Sequence, residues 1–344
     1  MYFFAVVLFV SVSKLTSARI PPIPFYSQRV SPDKPELGLY GTFSVGYPAQ
    51  LVKAYLYLRP LTYSPAFKTN SRCGNGVSFD RTKSRTFALD QVISDPQSNQ
   101  QKIVLGRDNI NLPGGYRLFS NVNISIQEGG SDCVLGGMSF GRSNENWSLI
   151  RDFLRTQQNP TAIFAFSQVG NSEREPISGT LVMADSAADI CNNDWTIMPT
   201  VPFAELGEDW GFKIDRIDVA RFSKIATVKM SVKGITYGLG VPSEVFPSIK
   251  RALGVDRNNK ISCNTKTPIR FRVNGKLVVV KSDIYADLRN KDRQGRCTSL
   301  IYDNGDVYRM PITFQRGKCQ MLNYRTGETG FATMKVRNSA RRRC

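Results

Sequence analysis

The chain contains no histidine. That absence excludes a Ser-His-Asp triad, a Cys-His pair, a histidine general base and any His-liganded zinc. Paired carboxylates, Ser-Lys pairs and Cys-only metal sites remain open. None of the seven cysteines falls in a Cys-x-x-Cys, so no zinc knuckle is expected. No apolar run reaches the ~20 residues of a membrane span. Acidic residues are scarce beside basic ones: 28 Asp+Glu against 46 Lys+Arg, a formal charge of +18 over 344 residues. Such a surplus draws polyanions, anionic surfaces or acidic proteins, although dispersed charge also serves plain solubility. A hydrophobic fraction of 41% with 10% aromatics sets the chain apart from disordered and collagen-like sequences. Its length suits about two domains of ~150 residues.

Met1 to Val12 is an apolar stretch of signal-peptide length without a basic leader, and Thr16-Ser17-Ala18 offers small residues for cleavage. Removing residues 1–18 takes away Lys14 alone among the charges, leaving 45 − 28 = +17. The expectation is an exported, soluble protein, whose cysteines are then disulfide candidates. These are Cys73, Cys133, Cys191, Cys263, Cys297, Cys319 and Cys344. An odd count leaves one unpaired or bridging to another chain, so the expected state is a monomer or a dimer linked through Cys344. Sequons at Asn123 and Asn146 are candidate glycan sites.

Strand patterns dominate. Val52–Leu58, Lys102–Leu105, Asn121–Ile126, Ile269–Val273, Lys276–Val280 and Ile312–Phe314 are β-rich runs, and Asn274-Gly275 reads as a hairpin turn. Two helices are expected: Ser148–Thr156, with apolar spacing of three and four, and Ser243–Leu253, opened by Ser243 as N-cap and closed by Gly254. The fold class is therefore mostly β with a few short helices.

Several ordered segments resemble the pepsin-like aspartic peptidases. Gly41-Thr-Phe-Ser-Val-Gly-Tyr-Pro-Ala-Gln50 is similar to that family's G-T-I-S-I-G-T-P-P-Q, and Asp132-Cys-Val-Leu-Gly136 to its D-G-I-L-G. Phe164–Ser167, Gly179–Val182, Trp195–Pro199, Trp210–Val219 and Tyr308–Ala332 follow in the family's order, over residues ~37–335. The resemblance implies a bilobal fold: an N-terminal segment at 19–36, an N-terminal lobe at 37–195, a C-terminal lobe at 196–335 and a basic tail at 336–344. It also implies a Cys263–Cys297 disulfide, and leaves the other five cysteines open.

The family's chemistry needs one aspartate per lobe in an Asp-Thr/Ser-Gly loop, the two carboxylates sharing a proton so that one acts as base and the other as acid. Counting from the family's landmarks puts Tyr57 and Lys233 at these positions. No Asp-Thr-Gly or Asp-Ser-Gly occurs anywhere; Asp209-Trp-Gly211 reads as the start of a strand and Asp303-Asn-Gly305 as a turn. A phenol and an ammonium cannot form a shared-proton carboxylate pair. Phe87 to Asn109, in the place of the family's flap, carries no tyrosine, and the 22 residues between Ala18 and Gly41 leave room for a strand rather than a pro-segment. Chemistry at Lys233 with Ser231 or Tyr57, or at Cys133, is conceivable, but a solvated or paired lysine and a structural cysteine are the simpler readings.

The expectation is thus a secreted, catalytically inactive relative of these peptidases, with no cofactor and no metal. It would bind a protein, a peptide or a sulfated or other anionic glycan through the cleft, where Tyr57, Arg59, Lys233 and Thr236 fall, or through its basic surface. The alternatives are a hydrolase decoy or inhibitor acting through surface loops, and an aspartic-type endopeptidase with a non-standard site. The basic tail, Lys335, Arg337, Arg341, Arg342 and Arg343, suits a polyanion, a processing site or a frayed end. Nucleic acid is not expected for an exported chain without a recognition motif.

Overall fold

The computed structural model describes residues 20–29, 37–58, 63–69, 78–94, 102–129, 136–141, 147–167, 177–185, 187–198, 201, 210–231, 238–288 and 291–335. These form a mostly β protein. Among them are three α-helices, α1 (Leu149–Thr156), α2 (Phe246–Leu253) and the single turn α3 (Ser282–Tyr285). None is long and apolar enough to cross a membrane.

Alternation sets which way each strand faces. In Gln50–Tyr57, Val52, Ala54 and Leu56 point into a core; in Ile269–Val273, Ile269, Phe271 and Val273 do, with Arg270 and Arg272 turned to solvent. Thirteen strands form one sheet, from Thr196–Met198 at one edge to Ala88–Ser94 at the other. Seven form a second sheet, from Lys276–Val280 to Ile301–Asp303. One core, with Phe43, Phe67 and Phe164, belongs to the first half of the chain; another, with Phe212, Phe271 and Tyr308, belongs to the second. The late hairpin Lys318–Asn323/Thr329–Thr333 lies in the first sheet, between Thr161–Phe166 and Thr196–Met198, and it brings the two cores together: Leu322 packs in the first and Phe331 in the second.

The two halves repeat one pattern. In the first, Gln50–Tyr57 runs parallel to Gly136–Ser139, which pairs antiparallel with Ala66–Thr69, itself parallel to Arg117–Glu128. In the second, Phe222–Ser231 runs parallel to Tyr308–Arg309, which pairs antiparallel with Leu239–Val241, itself parallel to Ile301–Asp303. Matching the registers, Tyr55↔Gly137↔Ala66 and Ser231↔Arg309↔Gly240, makes Tyr55 the counterpart of Ser231.

Most expected elements form. Asn274 and Gly275 both have positive φ (48° and 73°), as a two-residue type I′ hairpin requires, and close Ile269–Val273 onto Lys276–Val280. Ser148 caps α1 by accepting from the Arg151 N–H, and Gly254 ends α2 at φ 71°. Asp303-Asn-Gly305 is a turn, with Gly305 at φ 67°. Two readings are corrected. The helix expected from Ser243 begins at Phe246, because the Ser243 hydroxyl donates to Asp303 (2.6 Å) and caps nothing; Pro247, at the helix start, is where a missing N–H does no harm. Ile312–Phe314 is not a strand but a 3-10 turn, Ile312–Gln315, whose Phe314 N–H returns to the Pro311 carbonyl.

Candidate functional site

Tyr57 ends its strand half-buried, on the face opposite the first core. Tyr55, Tyr40 and Tyr26 share that face, since Tyr55 is paired with Tyr40 and Tyr40 with Tyr26. Ring centroids are 5.6 Å apart for Tyr55–Tyr57 and 5.9 Å for Tyr26–Tyr40, and the Lys53 ammonium lies 5.4 Å from the Tyr40 ring. Burial first, then the neighbouring Tyr57 and Tyr40, push the Tyr55 phenol up to about 12. Tyr55 is therefore neutral at physiological pH. The strand end thus offers a phenol standing on a row of phenols.

The backbone of this strand end is firmly held. The Phe140 N–H donates to the Tyr57 carbonyl (2.6 Å). The Phe140 carbonyl in turn accepts from Trp210 Nε1 (2.6 Å) and Tyr324 Oη (2.8 Å). Trp210 opens the second half of the repeat and Tyr324 follows the late hairpin's first strand, so one residue joins the candidate site to both. Beside it, the Ser64 hydroxyl accepts from the Ser139 N–H (2.7 Å), and Ser148 donates to the Ser139 carbonyl (3.4 Å) while capping α1.

Around the corresponding point of the second half the polar groups are less well matched. Tyr302 Oη, Tyr308 Oη and Arg309 Nε are buried without a hydrogen-bond partner. Tyr302 and Arg309 both close on Gly240: a Cβ there would stand 3.0 Å from the Tyr302 hydroxyl and 2.8 Å from the Arg309 Cβ, which explains the glycine. Of the residues expected at the cleft, Arg59, Lys233 and Thr236 lie outside the described residues. So do residues 1–19, Cys73, Cys133, Cys344, Asn146, Arg337 and Arg341–Arg343. Asn123 is exposed on Arg117–Glu128. Lys335 is exposed and anchored, its Nζ donating to the Ala188 carbonyl (2.5 Å).

Cys263 and Cys297 form a disulfide, as the resemblance implied. Cys191 pairs with Cys319, a bond across 128 positions that no local spacing pattern assigns. Two disulfides accord with an extracellular protein.

One feature of the second half goes beyond the sequence expectations. The outer face of the seven-stranded sheet carries a cross-strand row Leu277–Arg272–Arg216–Ile225, and beside it Val279–Arg270–Asp218–Ser223. Arg270 and Arg272 are exposed, and so are Ile225 (82%), Leu277 (52%) and Val279 (38%). Arg216 is bound to Asp218 (2.7 Å), whose carboxyl is held below the usual range by the Ser223 hydroxyl first and Arg216 second. Three guanidiniums facing one carboxylate leave a cationic, partly apolar surface. The alternation Ile269-Arg-Phe-Arg-Val273 contained the signal, since every second residue of that strand faces out.

Neither a family model nor a curated protein matches the chain.

Proposed function

We propose that the chain is a secreted, non-catalytic protein built on the two-lobed acid-protease plan, which binds a protein, a peptide or an anionic glycan. The reading rests on the repeated strand–loop–strand crossing in each half, on the order of the matching sequence segments, and on the disulfide Cys263–Cys297. One observation supports the non-catalytic reading: the crossing strand ends in Tyr57, the residue that the family resemblance aligns with a catalytic aspartate. No shared-proton carboxylate pair can form with a phenol in that place. The Arg216, Arg270 and Arg272 face, on a chain of formal charge +18, favours an anionic ligand such as a sulfated glycan.

The test joins two assays on the purified secreted protein. Incubation with unfolded protein substrates from pH 2 to 8 should yield no cleavage that a transition-state inhibitor of aspartic peptidases suppresses. Such cleavage, with contaminants excluded, overturns the reading. Retention on immobilised heparin should fall to lower salt in an Arg270→Ser/Arg272→Ser variant, because each lost phosphate- or sulfate-type contact weakens the salt-dependent term. Unchanged retention would remove the sheet face from the proposal.

A further inference from the structure

Two sheet edges leave a pocket between them. Thr196–Met198 is the end strand of the thirteen-stranded sheet and Lys276–Val280 that of the seven-stranded sheet. Residues of both line a cavity of about 340 Å³, with Met198, Val278, Phe314 and Phe331 among its apolar walls. That volume is at the small end of ligand sites, suited to a molecule of some ten to fifteen heavy atoms. Leu277 and Val279, at its mouth, are exposed apolar side chains on a free edge.

Of the two lysines in this lining, Lys276 is exposed and Lys318, on Lys318–Asn323, is the partly buried one. Its Nζ lies 3.3 Å from the centroid of the Phe314 ring and donates to the Phe314 carbonyl (2.8 Å). An ammonium has three protons, so two remain to be satisfied. No carboxylate among the described residues lies within ion-pair distance of it. Asp194 also lines the cavity, but its two oxygens accept from the Thr333 N–H (3.0 Å) and hydroxyl (2.7 Å). Lys276 lines the cavity as well, and Lys281 and Asp283 act on Lys318 from further off. A partly buried ammonium without a counter-ion, in an apolar pocket of this size, is an unfinished ion pair.

We propose that this pocket binds a small apolar carboxylate, an aliphatic or aryl acid whose carboxylate pairs with Lys318 and whose hydrocarbon body lies against Val278, Phe314 and Phe331. Such a ligand supplies the missing counter-ion and covers the exposed edge residues. The site stands apart from the strand ends that carry the proposed function, and does not depend on them.

Protonation gives the test its sign. Burial first, then Lys281, lower the Lys318 amine to about 8, with Asp283 opposing. A carboxylate binds the protonated form, so affinity should be nearly full at pH 7 and lost above pH 8. With the amine at about 8, the protonated fraction falls about thirtyfold between pH 7 and pH 9.5. Decanoate is the probe, measured by isothermal titration below its micelle concentration, with decanol as its neutral counterpart. The expected result is one decanoate per chain, at least tenfold weaker binding of decanol, and a comparable loss in Lys318→Met, which keeps the side chain's length and apolar body. The loss with rising pH should vanish in that variant. Val278→Trp, which fills the pocket and leaves Lys318 in place, should abolish binding and guards against a folding defect in the first variant. Failure of the wild-type protein to bind decanoate at 1 mM overturns the proposal, as does equal binding by folded Lys318→Met or an affinity indifferent to pH.

Discussion

The two halves of the chain repeat the same strand crossing but satisfy its polar groups differently. In the first half, the Ser139 N–H finds the Ser64 hydroxyl, and hydroxyls continue the network to the cap of α1. The matching positions in the second half are Pro311 and Gly238, by the same register. Proline has no N–H to satisfy, and glycine has no hydroxyl to offer. Gly136 crosses close against the backbone of Ala66 and Phe67; its counterpart Tyr308 is a fully buried ring packed edge-on to Phe271 at 5.4 Å. One half is thus held by hydrogen bonds around its crossing, and the other by aromatic packing that leaves buried hydroxyls unpaired. The same architecture tolerates both solutions because each crossing needs only that its backbone groups be satisfied or absent.

The two disulfides sharpen this contrast most. Cys263–Cys297 closes a loop of 34 positions inside the second half, whereas Cys191–Cys319 closes 128 and fastens the late hairpin of the first sheet to the segment before Thr196–Met198. On the chain-entropy account, losing the longer link should cost about 5 kcal/mol and losing the shorter about 4. Urea denaturation of Cys191→Ser/Cys319→Ser and Cys263→Ser/Cys297→Ser, followed by Trp fluorescence and far-UV circular dichroism, gives both numbers. The shorter link's loss should loosen the second half ahead of the first, so that the two probes separate. Coincident transitions in both variants would mean that the halves do not differ in this way.

A smaller effect tests the hydrogen-bonded side directly. Ser64→Ala removes the acceptor of the Ser139 N–H in a fully buried place, which should cost about 1–3 kcal/mol. A cost below about 0.5 kcal/mol would show that the first crossing, like the second, rests on packing alone.

How much of this was readable beforehand follows from the range of the forces involved. Alternation and turn chemistry are local, so Gln50–Tyr57, Ile269–Val273 and the Asn274-Gly275 turn could be read from neighbours along the chain. Ser243 misled because its hydroxyl found a partner 60 positions away, in Asp303, and Ile312–Phe314 because Pro311 turned an apolar run into a 3-10 coil. Lys318 was invisible for the same reason: in Lys-Cys-Gln-Met-Leu-Asn it reads as an ordinary strand lysine. Only the approach of Phe314 and of the two sheet edges makes it a partly buried cation. Local pattern fixes elements; burial and pairing across the chain fix sites.

The finest test compares two buried tyrosines that differ in one bond. Tyr324, in the first core, donates its hydroxyl to the Phe140 carbonyl, the group that also holds Trp210. Tyr308, in the second, has a buried hydroxyl with no partner. Phenylalanine keeps either ring and deletes only the oxygen. At Tyr324 that removes a formed hydrogen bond and leaves Phe140 one donor short, costing about 1–1.5 kcal/mol; Trp210 still satisfies the carbonyl, which limits the loss. At Tyr308 it relieves a desolvated group that earned nothing in return, so stability should hold or rise by up to ~1 kcal/mol. The sign of the difference decides the matter, since both substitutions delete the same atom from fully or nearly fully buried rings. Should Tyr308→Phe prove as damaging as Tyr324→Phe in the same urea titration, the Tyr308 hydroxyl has a partner in solution, a bound water being the simplest. The contrast between a bonded and a packed crossing would then reduce to one of direct against water-mediated bonds.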